Sequence, residues 1–291
     1  NDIFPTQAES STREIPGIPY FTPATRSFAR VQAARPKVII PVVPGNNCEV
    51  DSARAFERAG ADTDIFIVRN RDQAELAESV DEMVRRVNEA QIVMIPGGFS
   101  AGDEPDGSGK FIAALFRNRK LEEAMEALLH RRDGLVLGIC NGFQALIKLG
   151  LVPYGEFKPL TGDAPTLTFN TIGRHLSRYV TTKVVSVKSP WLALTKPGDL
   201  HSIAISHGEG RFIASPEQIR AWAANGQIAT QYTDELGHAS YDSTFNPNES
   251  VWAVEGITSP DGRVLGKMGH SERRGDADGK DSSCFKETFR G

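Results

Sequence analysis

The stretch GLVLGICNGFQALIKLG, residues 134–150, runs from an unbroken apolar segment through Gly138-Ile139-Cys140-Asn141-Gly142 into residues with helical apolar spacing. A short apolar run bounded by glycine reads as a buried strand, and the stretch after it as an amphipathic helix. The expected local structure is therefore strand, sharp turn, helix, with Cys140 at the turn. Small residues on both sides of Cys140 suit a nucleophile elbow, where close chain approach requires glycine and the side chain protrudes into a cleft. A helix N-terminus also favours the thiolate, the attacking form of cysteine. A lone cysteine after an apolar strand is ordinarily a small buried hydrophobe; the flanking glycines and the following helix favour the nucleophile.

Upstream, the same alternation recurs. KVIIPVV (37–43), EVDSARAFERAG (49–60) and DTDIFIVR (62–69) read as strand, helix and strand. The segment 74–90 is a helix leading to the strand QIVMIPGG (91–98), and FIAALFRNRKLEEAMEALLHRR (111–132) reads as one further helix. Continuous apolar strands alternating with helices predict an α/β fold, a mostly parallel central sheet with helices on both faces. Ligands in such sheets gather beyond the strand C-terminal ends, where PGGFSAGD (96–103) and GICNGFQ (138–144) both fall. After Gly150 the elements become shorter and β-like, in YVTTKVVSV, HSIAISH, VWAVEGITS and RVLGKMGH, and are expected to extend the sheet.

Two further segments carry chemistry. In IPGGFSAGD (95–103), Gly97 and Gly98 follow a strand and can aim backbone N–H groups at a developing oxyanion, with the amide of Asn141 as second donor. In GKMGHSERR (266–274), His270 and Glu272 stand two apart; in an extended segment both point to one side, so Glu272 can orient His270 while His270 takes the Cys140 proton. His207, in SHGEGRF beside Glu209, is the rival histidine. His130, His175, His201 and His238 read as surface or packed residues. No nucleotide loop is present: DGSGK has Glu104 and Phe111 where a phosphate-binding loop needs glycine and a hydroxyl, and no GxGxxG follows a strand.

Composition narrows the partners. The chain of 291 residues has 33 basic and 37 acidic residues, a net charge of -4 and 40% hydrophobic content, so a core is available and no basic field invites nucleic acid. Cys48, Cys140 and Cys284 lie far apart with no metal-ligand or disulfide spacing, so no metal is expected and a reducing, cytoplasmic setting is. No apolar stretch approaches the roughly 20 residues of a membrane span, and the N-terminus is not a signal peptide. Residues 1–36, rich in proline and small polar residues, read as a linker from a preceding domain; residues 276–291 read as a polar tail. The first residue is Asn, not Met, which fits a processed or excised chain.

Taken together and in order, PGGFSAGD, GICNGFQ and GHSER resemble class I (triad-type) glutamine amidotransferases. More narrowly, HGEGRF (207–212), GITSPDGRVLG (256–266) and CNGFQALIKLGLVP (140–153) are similar to the C-terminal glutaminase domain of phosphoribosylformylglycinamidine synthases of the large single-chain type. The likeness runs from about Pro36 to about Arg274. It implies a flavodoxin-like amidotransferase domain over 37–275, with Cys140 as nucleophile, His270 as base and then acid, and Glu272 as third triad member. It further implies an oxyanion hole from Gly98 and Asn141 and a glutamine pocket lined by Gln144, Asn170 and Phe99. The HGEGRF loop lies near the site in the family, with no chemical role assigned. One departure is visible, Ser271 where the family usually has proline.

The implied activity is hydrolysis of L-glutamine to glutamate and ammonia, passed to a synthetase that amidates formylglycinamide ribonucleotide in purine biosynthesis. ATP and magnesium would belong to that synthetase partner, in the same chain or in a complex, and this domain would need no cofactor of its own. The remaining alternatives are another cysteine-dependent hydrolase on the same sheet and a docking module that no longer hydrolyses glutamine.

Overall fold

A computed structural model describes residues 14–25, 33–103 and 108–273. The 276–291 tail, Cys284 and part of the expected linker lie outside these residues. The parallel half of the sheet builds first. Strand β1 (Lys37–Val42) leads to α1 (Glu49–Arg58), β2 (Asp62–Ile67), α2 (Gln73–Glu89) and β3 (Ile92–Ile95). Helices α3 (Lys110–Phe116) and α4 (Arg119–Glu126) precede β4 (Leu135–Ile139), which turns into α5 (Asn141–Leu149).

The second half follows a one-turn helix, α6 (Leu151–Tyr154). Strands β5 (Thr166–Thr168), β6 (Leu176–Val184), β7 (Leu200–His207) and β8 (Arg211–Ile213) come before α7 (Pro216–Ala224). Strands β9 (Ile228–Thr233), β10 (Val254–Thr258) and β11 (Val264–Lys267) complete the order. The main sheet runs β2-β1-β3-β4-β11-β10-β9-β6-β7, and β5 and β8 form a separate ribbon. Strands β2, β1, β3, β4 and β11 are mutually parallel, while β10, β9, β6 and β7 add antiparallel pairings. The expected α/β class and the added β segments therefore both hold.

Side-chain chemistry explains the element ends. Asp72 caps α2 by accepting from Glu75 N–H at 2.9 Å, and the buried Val80, Met83 and Val87 recur at helical spacing. The outer face of α2 carries Arg85 paired with Glu82 and Glu89. Exposed pairs of this kind are screened by water and add little, so the apolar stripe positions the helix. Ser215 and Gln218 form a reciprocal capping box that starts α7 at Pro216.

One expectation is corrected. The segment 111–132 is not one helix: Asn118 adopts an extended backbone and accepts from Lys120 N–H at 3.1 Å, starting α4 afresh. Asparagine competes with the helix through its own side chain, which is why it breaks the run. Within the expected linker, Phe21 N–H donates to Val185 O at 3.0 Å and Phe21 O accepts from Val187 N–H at 3.1 Å, while Ile15 and Ile18 pack on the core. Residues 14–25 thus lie against this domain.

The core sits between the sheet and its helices. Strands β3 and β11 are buried at every position. Trp191 packs edge-on against Phe56 at 6.2 Å, and its indole N–H donates to Val136 O at 3.1 Å, so its polar atom is satisfied inside.

Candidate active site

Four parallel strands deliver their C-terminal ends to one place. The turn after β1 brings Cys48, the end of β3 brings Gly97 and Gly98, β4 brings Cys140 and β11 brings His270. Cys140 has φ 54° and ψ −106°, a conformation disfavoured for a side-chain-bearing residue and held only where the surroundings impose it. Those surroundings are steric. A Cβ on Gly142 would lie 2.0 Å from Ile95 O, so α5 can approach β3 only with glycine there. The Cys140 N–H is tied to Lys267 O at 2.9 Å, and Cys140 O accepts from Gln144 N–H at 3.0 Å as α5 begins.

His270 and Glu272 are 2% and 3% exposed, and His270 Nδ1 stands 2.6 Å from Glu272 Oε1. Their meeting is not that of an extended strand, as the sequence predicts. Strand β11 ends at Lys267, His270 N–H donates to Ala204 O at 2.8 Å, and Ser271–Arg273 form a 3-10 turn that folds the carboxylate back onto the ring. Burial opposes charge on His270. The Glu272 carboxylate and the sulfur atoms of Cys140 and Cys48 outweigh it, and the imidazole pKa is pushed up to about 12. His270 Nε2 is buried with no hydrogen-bond partner among the described residues. Gly97 separates these groups: a Cβ there would meet His270 Cε1 at 2.9 Å, Cys48 Sγ at 3.1 Å and Cys140 Cβ at 3.4 Å.

Residues 35–283 match the CobB/CobQ-like glutamine amidotransferase domain. The chain belongs to that family. Phosphoribosylformylglycinamidine synthase subunit PurQ of Methanococcus maripaludis strain C5 is 33% identical over 244 residues, covering 82% of this chain and 83% of that protein. The PurQ subunit of Pyrococcus horikoshii is 34% identical over 241 residues, covering 82% and 90%. The solved structure of PurLQS from Thermotoga maritima shares the fold, with a TM-score of 0.62 at 22% identity over 88% of this chain and 97% of that one. This glutamine amidotransferase is thus of the phosphoribosylformylglycinamidine synthase type.

The polar groups of the remaining expected residues are engaged within the fold. Gly98 has φ 135° and pairs with Asn46, and Asn141 is fully buried at the first position of α5. Asn141 Oδ1 accepts from Ser100 N–H at 3.3 Å and its amide donates to Gln144 Oε1 at 2.9 Å. Gln144 in turn donates to Glu209 O. Asn170 Nδ2 donates to His207 O at 2.8 Å, and its Oδ1 accepts from Gly210 N–H at 3.2 Å. Gln144 and Asn170 therefore brace the HGEGRF loop with their own amides. Phe99 is 45% exposed at the rim, 5.8 Å from the His175 ring.

These bonds give the HGEGRF loop an architectural part. Glu209 Oε2 accepts from Ser108 N–H at 3.0 Å, and Gly210 O accepts from Asn248 Nδ2 at 2.8 Å. His207 is 2% exposed with Nδ1 3.2 Å from Asn170 Oδ1. Burial, reinforced by positive charge on His270 and His175, pushes its pKa down to about 3, so it stands neutral as a brace.

Cys48 is the residue that linear spacing missed. Its sulfur accepts from Arg273 Nη2 at 3.0 Å and lies 3.9 Å from His270 Nδ1. Ligating atoms of Cys48, His270 and Glu272 lie within 4.8 Å of one another, so one cysteine without metal spacing in the sequence still joins a potential ligand set in space. The Arg273 guanidinium already supplies positive charge to Cys48 Sγ there. The available signal was position: PGNNC follows β1 as PGG follows β3, and both lie beyond strand C-terminal ends. Among the described residues no helix is long and apolar enough to cross a membrane.

Proposed function

We propose that the chain hydrolyses L-glutamine through Cys140, His270 and Glu272. The observation that carries this reading is a cysteine held at positive φ on a strand-to-helix turn beside a buried histidine-carboxylate pair. The Cys140 sulfur attacks the carboxamide carbon, forming the C–S bond and a tetrahedral oxyanion that the N–H groups of Gly98 and Asn141 stabilise. His270, held protonated beside Glu272, gives its proton to the departing nitrogen as the C–N bond breaks and ammonia leaves. Water then attacks the thioester carbon, His270 takes its proton, and the C–S bond breaks to release glutamate and regenerate the sulfur. Gln144 and Asn170 shape the pocket by holding its wall, and Phe99 stands at its mouth.

The PurQ relatives are named as subunits of a synthase, which supports ammonia delivery to a synthetase partner that amidates formylglycinamide ribonucleotide in purine biosynthesis. On this reading ATP and magnesium act in that partner and the setting is cytoplasmic. Glutaminase assays of the wild type and Cys140→Ala, with and without the synthetase, test the proposal. Wild-type ammonia release should rise with the partner, and Cys140→Ala should lower it on the order of 10³-fold or more. Turnover that survives the substitution, or no turnover in any combination, overturns it.

A further inference from the structure

A buried charge network lies directly behind the histidine turn. Glu255 on β10 is fully buried; its Oε1 accepts from Gly269 N–H at 2.7 Å and lies 3.7 Å from Lys267 Nζ. Its Oε2 accepts from Thr230 Oγ1, which leaves neither oxygen idle. Lys267, at the end of β11 and 8% exposed, donates from Nζ to Ser271 Oγ at 2.7 Å. Gly269 and Ser271 are the two chain neighbours of His270. One carboxylate thus holds the residue before the histidine directly and the residue after it through an ammonium group.

Burying a glutamate and a lysine is costly unless both are paired and hydrogen-bonded, and this pair spends its hydrogen bonds on the backbone and side chain flanking His270. The carboxylate reaches the turn only because residue 269 lacks a side chain: a Cβ there would lie 2.9 Å from Glu255 Oε1 and 2.6 Å from Ile203 Cγ2. Glu272 orients the ring from one side. The position of the ring along the sheet edge, relative to Cys140, is set by residues 269 and 271.

We propose that Glu255 and Lys267 are positioning residues for His270, acting through Gly269 and Ser271 to hold the turn against Cys140. The inference rests on the triad reading above for its catalytic consequence. It also accounts for Ser271. A proline there would restrict the turn by its ring, with φ near −65° and the preceding residue kept extended, whereas a serine needs an external tether, and Lys267 supplies one.

Ser271→Ala removes the tether and little else, and Ser271→Pro replaces it with the ring's fixed φ while giving up the Ser271 N–H bond to Gly269 O at 3.1 Å. In the protein with its synthetase, Ser271→Ala should lower glutaminase kcat roughly tenfold with KM within about twofold, since misplacement of a reacting group costs rate more than binding. Ser271→Pro should return kcat to within about threefold of the wild type. Peptide-resolved alkylation of Cys140 by iodoacetamide gives a readout that needs no glutamine turnover, and should slow in Ser271→Ala and recover in Ser271→Pro. Unchanged Cys140 alkylation in Ser271→Ala, or equal slowing in both variants, overturns the positioning role. A wild type without Cys140-dependent turnover would sink the glutaminase reading instead, and the alkylation series would still decide this one.

Discussion

Two turns meet at the site, and they are held by opposite means. The Cys140 turn between β4 and α5 is steric and local: glycine at 142 lets the chain pass Ile95, and the strained Cys140 backbone follows from that approach. The histidine turn after β11 is electrostatic and assembled from afar, with Glu255 from β10 and Ala204 from β7 converging on residues 267–272 and Thr230 from β9 holding the second oxygen of Glu255. Backbone contact gives rigidity without charge. A buried ion pair gives placement that depends on both partners being present.

The largest effect should come from the steric turn. Gly142→Ala places a Cβ 2.0 Å from Ile95 O and should lower the unfolding free energy by about 4 kcal/mol, read by urea denaturation. Wild-type stability in that variant would show that close packing at Gly142 does not fix the Cys140 turn. On the other turn, Lys267→Met leaves Glu255 buried without its cation and should cost about 3 kcal/mol, part of which returns when Glu255→Gln is added. Additive losses in the double variant would show that the two residues do not act as a pair.

A smaller effect separates the two buried histidines of this region by sign. His207 has a folded pKa of about 3 against the usual 6.5, so its contribution to stability is present above pH 6.5 and is lost as pH falls toward 3. His270 is shifted upward, so its contribution is present below pH 6.5 and fades as pH rises toward about 12. Between pH 8 and pH 5 the His207 effect amounts to about 2 kcal/mol of lost stability, at about 1.4 kcal/mol per pKa unit. His207→Gln should flatten that part of the denaturation profile; an unchanged acid slope would remove His207 from the account.

Much of the first turn was legible in residues 134–150. Apolar strand, flanking glycines and helical spacing all lie within one short window, and steric requirements of that kind leave their mark on adjacent positions. The second turn was legible only as a pair, His270 and Glu272. Their meeting through a 3-10 turn, the Glu255–Lys267 support and the arrival of Cys48 all depend on which strands become neighbours. The break at Asn118 was misread for a different reason: helical apolar spacing on both sides of it masked a cap that only the backbone reveals. That the amides of Gln144 and Asn170 hold the HGEGRF loop is likewise visible only once the chain is folded.

By itself the sequence determined the α/β alternation, the placement of Cys140 at a strand end and the closeness of His270 to Glu272, because periodicity, glycine placement and short spacings are local properties. The tertiary structure decided how β11 comes to lie beside β4, why the histidine turn stays in place and what surrounds Cys48. Those depend on contacts between residues up to 225 positions apart, as for Cys48 and Arg273, and on burial that strengthens charges no linear reading can bring together.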